Sequence, residues 1–393
     1  MAVGEPIEAF RGAKLDAAII GAGPAGAAVA LALKRSGIES VAMIDWPRRR
    51  RFAVGESAAP GIGILLEHLG LDCRLERLGH RPCHGNLSFW GGVAPRAADY
   101  FSRASGPGWH LDRAAFDGWL RDQARDAGAR FLAPARLLEA RRDGQAWRLQ
   151  LGADAAAIEL SARWVLDATG RGAAVSRRLG ARLHRVDHLL ALAVIGRPAG
   201  EARFRGFTVV EATEIGWWYG ARLPDGRAMM ALMTDADIAR RNGLRAAAAF
   251  HQAWSATIEM RRFAAPVSVA EGPAVFSAAT QFLDRAAGPG WLALGDALMA
   301  LDPLSASGLT GALEDALAAG EVIAGSLSGG DSERRLAAGY ARRARATLES
   351  FLTARLGVYA AERRWHESLF WRRRIAGSEI LGYHAPQQEE FAA

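Results

Sequence analysis

A chain of 393 residues, 50% hydrophobic and 23% charged, has the composition of an ordinary globular protein and the length of two or three domains. No apolar run reaches the ~20 residues of a membrane span. The first strand begins too early to leave room for a signal peptide, and two cysteines, Cys73 and Cys83, form no metal-type cluster, so a reduced, cytoplasmic, metal-free protein is expected.

The net charge of +7 rests almost wholly on arginine, since Lys14 and Lys34 are the only lysines. The balance favours an acidic partner or a solvated arginine-rich surface. No basic stripe interleaves with aromatic residues, so no nucleic-acid partner is expected.

Residues 1–13 read as a loose lead-in. The apolar run Ala17–Ile20 stops at Gly21 and is followed by Gly23, Gly26 and a helical run, Ala27–Arg35. In a strand–turn–helix, Gly21 permits the turn, Gly23 lets the backbone approach a pyrophosphate, and Gly26 lets the helix lie close to the strand. The helix start offers N–H groups and a partial positive charge to phosphate. A second strand, Ser40–Ile44, ends in Asp45, whose carboxylate can accept both hydroxyls of an adenosine ribose. Trp46 and the arginines Arg48–Arg51 follow, and beside a dinucleotide site one or more of these arginines is expected to face a phosphate. Glycine and proline keep the segment around Glu56 and Ser57 out of regular structure, near the cofactor. Ile62–Leu69 is helical and ends at Gly70.

From Arg81 to Pro107 the chain leaves this pattern, with a strand at Asn86–Trp90. It returns at Gly108–Arg113 and enters an amphipathic helix, Ala114–Ala127. Short strands are expected at Arg130–Leu132 and Ala146–Leu151. A buried-type strand, Ala162–Leu166, ends in Asp167-Ala168-Thr169-Gly170-Arg171, and parallel sheets present ligand groups at such carboxyl ends. A second excursion, Leu183–Phe282, alternates at Leu189–Ile195, Gly206–Val210, Gly216–Leu223 and Arg227–Met233. It reads as a largely antiparallel sheet interrupted by a helix near Leu244–Met260. A last apolar strand, Trp291–Leu294, runs into Gly295-Asp296-Ala297, then Asp302–Thr310, then a long helix, Gly311–Leu327. The arginine-rich stretch Asp331–Arg374 reads as a surface helix pair.

G-A-G-P-A-G, D-A-T-G and G-D-A in this order resemble the FAD-binding pattern of the p-hydroxybenzoate hydroxylase class of flavoproteins, over roughly residues 14–374. V-G-E-S-A-A-P (Val54–Pro60), G-W-H-L-D-R with F-D two residues on (Gly108–Asp117), D-P-L-S-A-S-G-L (Asp302–Leu309) and R-W-H-E-S-L-F-W-R-R-R (Arg364–Arg374) are similar to the halogenase-like flavoproteins that mature tryptophylquinone enzymes. The resemblance implies an α/β fold: a Rossmann-like FAD-binding domain (14–80, 108–182, 283–330), interrupted by an antiparallel-sheet substrate domain (81–107, 183–282) and followed by C-terminal helices (331–393).

It also implies residue roles. Gly21, Gly23 and Gly26, with Ala25, would cradle the FAD pyrophosphate, and Asp45, beside Trp46, the adenosine. Arg113, with Arg51 and Ser57, would reach the flavin chain or its phosphates, Asp167 and Gly170 would lie near the pyrophosphate, and Asp296 would hold the ribityl hydroxyls. Pro303, Ser307, Gly308 and Leu309 would line the isoalloxazine. A helix start beside its pyrimidine edge would stabilise the reduced anion. Asp167 or Asp296 could instead cap a helix, and Pro303 could simply break one.

The implied chemistry is monooxygenation of an electron-rich aromatic, of indole type, through O₂ and a flavin C4a-hydroperoxide. The substrate would be a small molecule or a tryptophan of a partner polypeptide. Electrons would come from NAD(P)H or from a separate reductase. Trp90, Trp217, Tyr219 and Met233, with Trp218 and Met230, could wall the substrate or be core residues of the second sheet. His110 and Glu56 are acid–base candidates, although His110 could equally be a packing histidine. Halogenation, lipid reduction and a non-catalytic maturation chaperone are the alternatives. Halogenases of this kind carry W-x-W-x-I-P where this chain reads W-W-Y-G-A-R (Trp217–Arg222). They also need a lysine after the G-E-S segment, and both lysines here precede it.

Overall fold

The computed structural model describes residues 4–46, 52–72, 74–92, 96–100, 105–153, 156–197, 206–263, 272–329 and 332–376. Apolar runs without alternation form a parallel core of strands, in the order Trp291–Ala293, Ala156–Asp167, Lys14–Ile20, Val41–Ile44 and Arg130–Leu132. Strands buried on both faces need no polar side, which is why Ala17–Ile20, Val41–Ile44 and Trp164–Asp167 do not alternate, whereas the first part of Ala156–Asp167, paired antiparallel with Ala146–Ala153, does. The register places Ile20 opposite both Ile44 and Asp167, and Asp167 opposite Ala293. Four strands therefore end level, and the glycine turn, Asp45, the D-A-T-G turn and the G-D-A turn leave from one edge. That edge is where open α/β sheets bind ligands.

The second sheet has seven strands, in the order Ala274–Ser277, Leu189–Gly196, Ala228–Asp235, Gly216–Arg222, Phe207–Thr213, Gly85–Phe89 and Arg96–Asp99. All pairings are antiparallel except that of Phe207–Thr213 with Gly85–Phe89. Both faces are covered. Trp218, Met230 and Leu232 meet Phe250, Met260 and Phe263 on one side. Trp217, Ala231 and Met233 meet Trp90, Tyr359, Phe370 and Trp371 on the other. The helical interruption is two pieces, Ala247–Ser255 and Met260–Phe263, shorter than the sequence pattern indicates. Glu211 holds the second piece by accepting from the N–H groups of Ile258, Glu259 and Met260. A small sheet of Ser57–Ala58, Gly108–His110 and Arg81–Cys83 links the two large ones.

The C-terminal stretch departs from the expected surface helix pair. Glu333–Ala360 and Leu369–Ala376 are helices, but Tyr359, Phe370 and Trp371 are fully buried. The Trp371 indole N–H donates to the Thr213 carbonyl at 2.8 Å. Arg374, itself buried, meets Asp235 at 2.6 Å and lies over the Phe370 ring. Arginine stems cover apolar surface while their heads find carboxylates, so a basic sequence can still be core. No helix among the described residues is long and apolar enough to cross a membrane.

Trp371→Ala should remove a fully buried indole and its hydrogen bond, at a cost of about 3–5 kcal/mol. Val358→Ala, on a half-exposed side chain of the preceding helix, should stay within about 0.5 kcal/mol. Denaturant unfolding of the two variants checks the contrast.

Candidate functional site

The three turns meet through small residues. Gly21 has φ +109°, and a Cβ there would run into the Ala168 carbonyl. A Cβ on Gly26 would strike the Gly21 carbonyl and lie 3.3 Å from the Ala168 methyl. Gly295, at φ +57°, would place a Cβ 2.9 Å from the Ala25 methyl and 3.4 Å from that of Ala312. Gly23, by contrast, meets nothing within 4 Å, so its backbone opens outward. The helix Pro24–Arg35 starts here. Asp45 lies alongside, one oxygen accepting from the Ala22 N–H at 3.3 Å. Trp46 is exposed beneath the Arg136 guanidinium. These groups fit a dinucleotide: an open glycine turn for the pyrophosphate and a carboxylate for the ribose.

Asp167 is fully buried, with both carboxylate oxygens engaged. One accepts from the Thr169 N–H and hydroxyl, and the other from the N–H groups of Val175 and Ser176. The capping alternative is the observed one: Asp167 shapes the turn through Gly170 and does not face the groove. Asp296 is half-buried at the start of the G-D-A turn. Beside it lies Arg171, which the sequence reading did not single out. Burial draws its guanidinium down from the ordinary value, and the nearby charges of Asp296, Asp187 and Asp302 oppose that. The turn is braced from behind, since Asp315 accepts from the Gly295 N–H at 3.0 Å and from Arg343 at 2.7 Å, and the Tyr340 hydroxyl donates to Ala293.

Pro303 is exposed, and Ser307 precedes the helix Gly308–Leu327. The first bond of that helix runs from the Gly311 N–H to the Ser307 carbonyl. The amides of Gly308 and Leu309 lie ahead of it, where helix N–H groups lack intrahelical partners. Asp302 fixes this loop. It is buried and accepts from the Leu304 N–H at 3.1 Å, Arg355 at 3.1 Å and the Tyr359 hydroxyl at 2.8 Å. Arg355 also meets Asp187 at 2.8 Å, and Tyr359 accepts from the Trp217 indole N–H at 3.0 Å.

Trp217 and Trp90 are therefore core residues and not a substrate wall. The Trp90 N–H donates to the Val358 carbonyl, and its ring packs edge-on against Trp217, Tyr359 and Trp371. Met233 is buried in the same cluster. Tyr219, by contrast, is at the margin of that face, as are Phe52, Val54, Phe276 and Leu304. The Phe52 and Phe276 rings are 5.6 Å apart. Neither phenylalanine stood out in the sequence, because nothing in a local pattern joins residue 52 to residue 276.

Glu56, Ser57, Tyr219 and His110 do come together. The Tyr219 hydroxyl is 2.7 Å from Ser57 Oγ, which is 3.4 Å from Thr208 Oγ1, itself 3.0 Å from His110 Nε2. Glu56 is buried beside Tyr219, and its Oε1 has no hydrogen-bond partner. Burial raises the Glu56 carboxyl above its usual range, against the pull of Tyr219 and Arg113. Tyr219 is raised well above a free phenol by burial and by Glu56. His110 is lowered to about 4 by burial, then by Arg81 and His84, so it is neutral near pH 7. Arg113 forks onto Asp117 and donates to the Val54 and Gly55 carbonyls at 2.9 Å each, which ties down the segment carrying Glu56. Arg51 lies outside the described residues.

A parallel sheet whose strand ends converge on a glycine turn, an acid and a helix start defines a dinucleotide-binding protein. Residues 14–353 match the FAD binding domain family, to which this chain belongs; it is an FAD-dependent oxidoreductase. It is 27% identical over 371 residues to LodB of Marinomonas mediterranea, named as an FAD-dependent oxidoreductase, covering 93% of this chain and 98% of that one. A solved peptidyl tryptophan dihydroxylase, QhpG, superposes with TM-score 0.72 at 27% identity over 92% of this chain and 79% of its own. The myxobacterial chondrochloren halogenase CndH shares the fold, with TM-score 0.83 at 21% identity over 92% and 86% of the two chains.

Gly26→Ala should abolish retention of FAD while leaving the far-UV circular dichroism unchanged; flavin absorbance of the purified variant checks this. His110 gives a pH signature of stability. Its folded value near 4 lies below the ordinary 6.5, so the unfolded chain binds the extra proton between the two. Stability from this group is complete above about pH 6.5 and is lost as pH falls towards about 4, with a slope of up to about 1.4 kcal/mol per pH unit. In His110→Gln the fall in unfolding free energy over this window should be shallower.

Proposed function

We propose that this protein is an FAD-dependent monooxygenase that hydroxylates an electron-rich aromatic ring, of indole type, and that its substrate is a tryptophan side chain in a partner polypeptide. The buried acid Glu56, its carboxyl pushed up by burial and held beside Tyr219 at the margin of an apolar sheet face, carries this reading. The likeness to QhpG, named for acting on peptidyl tryptophan, supports the polypeptide substrate.

Gly21, Gly23, Gly26 and Asp45 would hold the adenosine diphosphate part of FAD, Asp296 its ribityl chain, and the loop from Pro303 to Leu309 its ring. Reduced FAD supplies activation of O₂ for transfer of one oxygen atom to carbon. The chain's own groups do the rest. Phe52, Val54, Phe276 and Leu304 exclude water and offer an indole an apolar bed. Burial disfavours the Glu56 carboxylate and raises its carboxyl above the usual range, which favours the protonated form that a general acid needs. Tyr219 and Ser57 orient that acid, and Arg113 holds its backbone in place.

Halogenation is the second reading, and the fold of CndH keeps it in view. Against it, no lysine follows Lys34 in this chain, and Tyr219-Gly220-Ala221-Arg222 stands where W-x-I-P would be. We assign the electron source to NAD(P)H or a separate reductase, read as bleaching of the bound flavin. No bleaching with any donor would favour a non-catalytic maturation role.

Incubation of the reduced holoenzyme with ¹⁸O₂ and tryptophan-containing peptides, followed by mass spectrometry, should show heavy oxygen in the indole. A chlorine or bromine isotope pattern with halide present would overturn the assignment, as would label found only in water.

A further inference from the structure

Hydroxylation of a ring C–H by O₂ consumes two electrons and two protons: one oxygen atom enters the C–H bond and the other leaves as water. The electrons come from the external two-electron donor. The protons must cross the protein, because Glu56 is only 2% exposed. The hydroxyls of Tyr219, Ser57 and Thr208 form a continuous line from Glu56 to His110. His110 in turn lines a cavity of about 250 Å³, together with Arg81, Pro82, Gly206, Arg222 and Gly226. We propose that Glu56, Tyr219, Ser57, Thr208 and His110 are a proton relay that recharges the buried acid from water in this cavity, with Thr208 as its essential link.

The proposal rests on the monooxygenase reading only for the use to which the proton is put. Each hydroxyl has one proton to give and lone pairs to receive another, so these contacts accommodate either direction, and the relay takes the one that ends on Glu56. Tyr219 gives its proton towards Glu56, so its oxygen accepts from Ser57. Ser57 then accepts from Thr208, and Thr208 accepts from His110, which must carry its hydrogen on Nε2. When Glu56 surrenders a proton to the reacting site, each group passes one on, and the Nδ1 atom of His110 takes a replacement from water. No charge need rest on the line, which matters because the line is buried. Burial first, then Arg81 on the neighbouring strand and the nearby His84, disfavour the imidazolium and keep His110 neutral between transfers. Arg222 is the other cation of the cavity wall.

The position of each member follows from strand pairing. Ser57 and Arg81 flank His110 on the two strands beside it. Thr208 and Tyr219 come from adjacent strands of the seven-stranded sheet. Each of the three contacts from Tyr219 to His110 thus passes between the large sheet and the small linking one, and the longest is the 3.4 Å step between Ser57 and Thr208. Thr208 is 5% exposed and also lies 3.7 Å from the Cys83 sulfur, so no bulk water substitutes for it.

Two measurements test this. Long-range ¹H–¹⁵N spectra of protein labelled at histidine nitrogen, with and without FAD, should show His110 neutral and protonated on Nε2 at pH 7. An Nδ1–H tautomer would overturn the proposal whatever the enzyme does. The holoenzyme is then photoreduced, so that no donor is needed, and its reoxidation by O₂ is followed in H₂O and D₂O. Thr208→Val should slow reoxidation by about tenfold or more and change its solvent isotope effect, while Thr208→Ser restores both. Reoxidation of Thr208→Val at the wild-type rate, with flavin bound and its spectrum unchanged, would sink the relay. Failure of the hydroxylase reading shows separately, as wild-type protein that reoxidises normally but labels no peptide.

Discussion

The absence of side chains between three turns is the constraint on which the nucleotide site depends. Gly21 lies on the Ala168 carbonyl, Gly26 on Gly21, and Gly295 between Ala25 and Ala312. Level strand ends bring the turns to one edge, but only backbone-to-backbone contact closes them into one surface. Any Cβ at these points would pry apart segments that are far from one another in sequence. The outward-facing Gly23 differs: a Cβ there would meet nothing within 4 Å.

A second constraint joins the nucleotide part to the seven-stranded sheet. Asp302 is a buried carboxylate satisfied by an amide, a guanidinium and a phenol. Buried charges are tolerated when fully paired, and removing one partner is costly. Through Tyr359 the pairing reaches Trp217 in the sheet, and through Arg355 it reaches Asp187 at the sheet's entrance. The loop at Pro303, the sheet face and the long C-terminal helix are thus set relative to one another by one small polar cluster inside an aromatic core.

Much of this was legible in the sequence where the signal is local. An apolar run followed by glycines at fixed spacing dictates strand, turn and helix at Lys14–Arg35, and the same logic finds the ends at Asp167 and Asp296. Gly206–Val210 and Gly216–Leu223 alternate as paired strands should. The side-chain roles were harder. Trp217 and Tyr219 share a face of one strand, and only the long-range arrival of Tyr359 and Trp371 decides that the first is core and the second marginal. Asp167 carries the same letters whether it meets a ligand or caps Val175 and Ser176. Arginines masked the C-terminal helices as surface, because composition does not show that Asp235 waits for Arg374. Thr208 gave no signal at all: it is one polar residue in an alternating strand, and its neighbours Ser57 and His110 are distant in the chain.

The position of Arg355 and Tyr359 so late in the chain bears on biosynthesis. The Asp302 loop cannot acquire its guanidinium and phenol until the ribosome has released the end of the helix Glu333–Ala360. The Gly21 turn and its neighbours are complete long before. A nascent chain can therefore close the Gly21 turn on Ala168 while the loop held by Asp302 is still unfastened. Closure of the glycine turn first, with the Asp302 loop fastened later, is the order in which these contacts can form during synthesis.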